Sequence, residues 1–215
     1  MTQTAACAIP LDDESPVLRP AALRVVQDGD GVDLVAAERA AAQFLHALGV
    51  GTDSESMQGT PRRMARAYAD LFSPRAFDLT TFPNEEGYDE LVLARSIPLR
   101  SVCEHHLLPF TGVAHVGYLP GQRILGLSKL ARVVEFFACR PQVQERLTKQ
   151  IADWLQTQLS PKGVGVVIEA EHTCMTLRGV QKHGARTVTS ALHGLVREDP
   201  RTRQEFLDLA TRRVA

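Results

Sequence analysis

The sequence predicts an α+β domain, and three observations carry that expectation. Stretches rich in β-branched residues at 91–99, 110–118, 164–170 and 186–192 read as strands. Apolar residues recur every three or four positions across 33–48, 60–72, 128–137, 143–159 and 201–212, the period of a helix buried along one side. The first two helices precede every strand. Their sum is a set of antiparallel strands with helices packed on one face, preceded by a helical N-terminal segment.

Residues 1–30 mix Pro10, Pro16 and Pro20 with acidic residues and short apolar pieces. That composition predicts a poorly ordered arm, to which no function is assigned. Residues 31–75 form the helical segment. Its first helix carries Leu34, Ala37, Ala41, Phe44, Leu45 and Leu48 on one stripe and stops at Gly49 and Gly51. Its second opens at Thr60-Pro61, read as cap and first helical position, and runs through Arg63, Met64, Ala67, Tyr68, Leu71 and Phe72 with an apolar stripe.

The main domain spans 76–215. Residues 77–89 are polar and interrupted by Pro83 and Gly87, so no element is expected before the strand at 91–99. The strand at 110–118 closes at Pro120-Gly121. Ser128 is expected to cap a helix holding Leu130, Val133, Val134 and Phe137, and Pro141 separates it from the next, with Val143, Leu147, Ile151, Leu155 and Leu159. Such stripes are core in the first instance. The strand at 164–170 leads to a Cys/His pair, and the helix at 201–212 closes the chain.

Composition narrows the function. A chain of 215 residues, 44% hydrophobic, can bury a full core. Lys plus Arg number 24 against 25 Asp plus Glu, so no global field draws nucleic acid or an anionic membrane. Four cysteines are too few for a disulfide framework in a chain this long, and no run of about eighteen apolar residues occurs. A cytoplasmic protein is expected.

The densest chemistry lies in Cys103-Glu104-His105-His106 and His172-Thr173-Cys174. Two thiols and three imidazoles in tight clusters are what a zinc ion needs. His172 and Cys174 are two apart, so on an extended strand both would point to one face. Cys103, His106 and Cys174 supply three ligands, the number that leaves a catalytic zinc one position for water. His105 and His172 then stand beside the metal as proton carriers. The competing reading is a closed structural site with His172 as fourth ligand. Cys139 and His115, by contrast, read as ordinary core residues.

Between Gly121 and Gln150 the basic residues Arg123, Lys129, Arg132, Arg140, Arg146 and Lys149 face only Glu135 and Glu145. Ser128, Lys129 and Arg132 fall at a helix start, where free backbone N–H groups favour an anion such as phosphate. Arg178 and Arg63 are candidates for further phosphate donors. For any one of these residues the alternative is a solvated charged face. No glycine-rich phosphate loop is present.

Taken together, Cys103-Glu104-His105-His106, Gly126-Leu127-Ser128-Lys129, the run Arg140 to Thr148, and His172-Thr173-Cys174-Met175-Thr176-Leu177-Arg178-Gly179 resemble GTP cyclohydrolase I. The likeness runs from about Leu34 to the Glu205-Phe206-Leu207 helix and includes Thr60-Pro61-Arg62-Arg63. It implies a catalytic tunnelling-fold domain over 76–215, a toroidal homodecamer with sites between subunits, and hydrolysis of GTP to 7,8-dihydroneopterin triphosphate and formate. By the same resemblance Cys103, His106 and Cys174 hold Zn2+, and His105 and His172 are the acid/base pair. Ser128, Lys129, Arg132 and Arg178 face triphosphate and ribose, Arg63 reaches in from a neighbouring subunit, and Gln144 and Glu145 contact ribose and guanine. Leu177 stands where the family often has methionine, a volume-conserving change.

Overall fold

The computed structural model describes residues 23–25 and 31–212. The chain divides into two compact units, Asp28–Ser73 and the remainder. Most of the stretch read as an arm lies outside the described residues; within it, β1 (Leu23–Val25) pairs antiparallel with β2 (Phe77–Leu79).

In the smaller unit, α1 (Leu34–Ala47) starts at Asp33, whose carboxylate accepts from Ala36 N at 2.9 Å. The second helix, α2 (Thr60–Phe72), begins one residue earlier than the sequence implied: Gly59 is the cap, and Thr60 is already helical. The Thr60 hydroxyl is engaged elsewhere, donating to Met57 Sδ and accepting from Arg63.

The larger unit is built on a five-stranded sheet. Its strands are β4 (Val92–Cys103), β5 (Pro109–Leu119), β7 (Pro141–Gln142), β8 (Gly163–His172) and β9 (Thr187–Gly194), in the order β7-β4-β5-β8-β9. All pairings are antiparallel except β7 with β4. Two short strands, β3 (Thr81–Pro83) and β6 (Arg123–Leu125), form a separate ribbon, so β2 and β3 fill a stretch where no element was expected.

Side chains alternate across a strand, and here the alternation sets up the core. Phe110, Ala114, Val116 and Tyr118 of β5 and Val164, Val166, Ile168 and Ala170 of β8 point the same way. They meet α3 (Leu127–Ala138) and α4 (Gln144–Leu159) through Leu130, Val133, Val134, Leu147, Ile151 and Leu155. The Tyr118 hydroxyl accepts from Leu125 N at 2.8 Å, which ties β6 to this core.

The opposite face carries a smaller cluster. After α6 (Leu195–Glu198), the last helix α7 (Pro200–Thr211) sets Phe206 beside Val167 and Val196. Gly117 and Gly165 are paired across β5 and β8, and a Cβ on Gly165 would sit 2.7 Å from the Phe206 ring. Glycine at that pair makes room for the aromatic ring. Among the described residues no helix is long and apolar enough to cross a membrane.

Candidate metal and catalytic site

Strand β4 runs four residues further than the β-branched pattern indicated and ends on Cys103 itself, buried to 7% exposure. The chain then turns through Glu104–His106 to β5. Cys103 N donates to Leu108 O at 2.9 Å and Leu107 N to Cys103 O at 2.8 Å, with Leu107 in the left-handed region at φ 52°. Backbone bonds therefore shape this turn, and His105 and His106 project from it exposed.

The second half arrives differently from the strand geometry proposed for it. His172 ends β8, but Cys174 lies in the one-turn helix α5 (Thr173–Thr176). A helical turn, and not two-residue alternation on a strand, carries its thiol to the metal cluster. The Thr173 hydroxyl donates to Pro109 O at 2.5 Å and pins this junction to the start of β5.

The ligand atoms of Cys103, His106 and Cys174 all lie within 4.8 Å of one another. Cys103 Sγ is 3.7 Å from His106 Nδ1. A tetrahedral ion with Zn–S and Zn–N bonds of about 2.3 and 2.0–2.1 Å would separate its sulfur and nitrogen by roughly 3.6 Å. Spacing and donor chemistry both fit such an ion. Burial pushes the Cys174 thiol up, the neighbouring Cys103 adds to that, and Arg178 opposes it. Two adjacent thiolates repel, and a divalent cation between them removes that penalty.

His105 Nδ1 is also 3.8 Å from Cys103 Sγ, yet His105 is not part of the three-way cluster. No fourth His, Cys, Asp or Glu joins it among the described residues. His172, the candidate fourth ligand of a closed site, is engaged elsewhere. Its ring stacks on Phe110 at 4.4 Å and 12°, and its Nε2 lies 2.8 Å from Gln144 Oε1. Burial holds its pKa below the ordinary imidazole value, with Glu145 acting in the opposite direction.

The basic window is largely consumed by internal contacts. Arg132 pairs with Glu135 at 3.3 Å, and Arg123 bonds the Thr81 hydroxyl at 2.8 Å. Arg140 sits over the Phe136 ring, and Lys149 meets Asp153 at 2.5 Å. Arg146 bridges Glu104 and the Gln142 side-chain Oε1, and so braces the Cys103–His106 turn. That ion pair is the main reason the Glu104 carboxyl lies below its usual range.

Ser128 and Lys129 lie in the first turn of α3, but Gly126 caps the helix and Ser128 makes no capping bond. Arg178 is exposed beyond α5, and Glu145 is exposed at the start of α4. Gln144 is buried at 2% exposure with both ends of its amide occupied. Arg63 belongs to the other unit, where it donates to Ser56 O and the Thr60 hydroxyl, each at 2.8 Å. Phe110, Thr148 and Thr189 were not singled out from sequence. For Phe110 the signal is the cross-strand register, which places it opposite His172; Thr148 and Thr189 enter through hydrogen bonds to Gln144 and to each other.

The chain is 51% identical over 178 residues to GTP cyclohydrolase 1 of Aquifex aeolicus, covering 83% of this chain and 97% of that protein. With the enzyme of the same name from Thermobifida fusca it shares 53% over 184 residues, 83% of this chain and 89% of that one. Among solved structures, an archaeosine synthase QueF-Like in the apo form overlaps 48% of this chain and 93% of that chain at 18% identity and TM-score 0.41, too slight a likeness to inform the site. The family model described as GTP cyclohydrolase I matches residues 37–211, and with that span and these identities the chain belongs to the GTP cyclohydrolase I family.

Proposed function

We propose that this chain hydrolyses the imidazole ring of GTP, releasing C8 as formate and yielding 7,8-dihydroneopterin triphosphate, the first step toward pterins and tetrahydrofolate. The carrying observation is a ligand cluster of three, Cys103, His106 and Cys174, flanked by two histidines outside it. Three ligands are the signature of a catalytic ion, and zinc suits two thiolates and an imidazole. When bound, zinc supplies Lewis acidity that activates water near neutral pH.

The protein's own groups do the rest. Attack at C8 builds negative charge on the adjoining ring nitrogen, which His105 protonates from the exposed turn. His172 gives a proton to the ribose ring oxygen as that ring opens. Glu145 accepts the paired N–H groups of the guanine edge, which adenine lacks. Ser128, Lys129, Arg132 and Arg178 take the triphosphate and ribose side, Arg63 approaches from a neighbouring subunit of a homodecamer, and Gln144 serves the substrate through His172. The setting is cytoplasmic.

The test is direct. Metal-loaded protein is incubated with GTP while formate and the pterin chromophore are followed. Both are expected in equal amounts, and fully loaded protein that makes neither rejects the reading.

A further inference from the structure

The Gln144 side chain is enclosed by groups whose hydrogen-bonding roles are fixed. Its amide nitrogen lies 3.1 Å from Ile168 O, 2.9 Å from Thr187 O and 3.1 Å from Thr189 Oγ1. Two of these are backbone carbonyls, which only accept. The NH2 group must face them, since turning the amide over would set three oxygens against one another in a buried site. Gln144 Oε1 is thereby aimed at His172 Nε2, 2.8 Å away. An amide oxygen only accepts, so Nε2 must carry a hydrogen.

The hydroxyls beside it run in one direction. Thr148 Oγ1 donates to Gln144 O at 2.7 Å, leaving its lone pairs for Thr189 Oγ1 at 2.6 Å. Thr189 spends its proton there and stays an acceptor for the Gln144 amide. A closed ring of bonds, built on α4, β8 and β9, thus holds one amide orientation. Phe110, stacked on the imidazole, fixes the plane of the ring.

We infer that Gln144, locked by Ile168, Thr187 and Thr189, is a positioning residue that keeps a hydrogen of His172 on Nε2 and so makes Nδ1 the nitrogen that takes up a proton and passes it on to substrate. The tautomer follows from the hydrogen bonds alone; its use in catalysis rests on the ring-opening reading. A histidine held in the wrong tautomer keeps its place but loses its function.

The experiment uses the full-length, metal-loaded protein with 15N-imidazole histidine. The His172 resonances are assigned by their loss in His172→Asn, and solid-state 15N spectra report which nitrogen of the neutral ring is protonated. Wild type is expected to show Nε2–H alone. Gln144→Met, similar in volume but without an acceptor, is expected to show a mixture, with kcat on GTP down roughly 10- to 100-fold and KM within about twofold, on the scale of losing the partner that orients a working histidine. An Nδ1–H ring in wild type overturns the inference, and that spectrum decides even if Gln144→Met fails to fold. So does a Gln144→Met protein with wild-type tautomer or wild-type kcat. Wild type showing Nε2–H without turning over GTP rejects the proposed reaction and leaves the tautomer standing.

Discussion

The two halves of the candidate metal site are built on opposite plans. The turn from Cys103 to His106 is shaped by backbone bonds, and its two imidazoles stand in solvent. The junction from His172 to Cys174 is held by side chains: Phe110 under the ring, Gln144 on its Nε2, Thr173 tied to Pro109 O. The contrast separates two tasks. A group on an open turn can meet an incoming substrate and ion, whereas a group locked from behind presents one prearranged nitrogen and costs little reorganisation during reaction.

The sharpest way to break the comparison is to remove a ligand from each half. Cys174→Ser and Cys103→Ser are both expected to lose the bound metal and all measurable turnover, as seen by metal analysis alongside the GTP assay. If one of them keeps about one metal per chain, the halves do not share a single ion.

Next in size is His105→Ala, which takes an imidazole off the open turn. Metal should stay at about one per chain while kcat falls roughly 10²- to 10⁴-fold, the usual yield of a positioned proton donor. Loss of the metal instead would move His105 into the ligand set. Phe110→Ala attacks the locked half through its core. Phe110 is fully buried, so this change should cost about 3–5 kcal/mol in urea unfolding and lower activity as well. A variant that loses stability but keeps kcat would show that the stack serves folding alone.

The smallest effect concerns β5, the strand between the halves. Burial, assisted by Arg95 and opposed by Glu169, holds the His115 pKa below the ordinary 6.5. The unfolded chain then binds more protons than the folded one below that value, so stability rises with pH through this range and is lost as pH falls from about 6.5 through the lower folded pKa. His115→Gln should flatten that slope in denaturation series between roughly pH 5 and 7. An unchanged slope places the proton uptake on another group.

Much of this was legible in the sequence, for reasons that differ by element. Helices α1 and α4 carry long stripes, and a long period is hard to mistake. The end of β4 was read short because Arg100-Ser101-Val102-Cys103 lacks the dense β-branching of the preceding residues. Strands β2 and β3 went unseen, since three residues carry no period and their partners lie far away in β1 and β6. At the site, spacing suffices to group Cys103, His106 and Cys174, although two-residue alternation implies a strand at Cys174 and the structure has a helical turn. The locked half was illegible where it depends on register. Nothing local announces that Phe110 lies opposite His172, or that Gln144 reaches across to β8 and β9.

One consequence follows from where the thiols sit. Cys103 terminates β4 and Cys174 follows β8, while β5 runs between those strands. An ion gripped by both would act as a clip over three strands at one end of the sheet, and the Phe206 ring nested on Gly117 and Gly165 rivets β5 and β8 toward the other end. Chelation should therefore unlatch only the first end, letting amides near Phe110 and His172 exchange with deuterium while those near Gly165 stay protected.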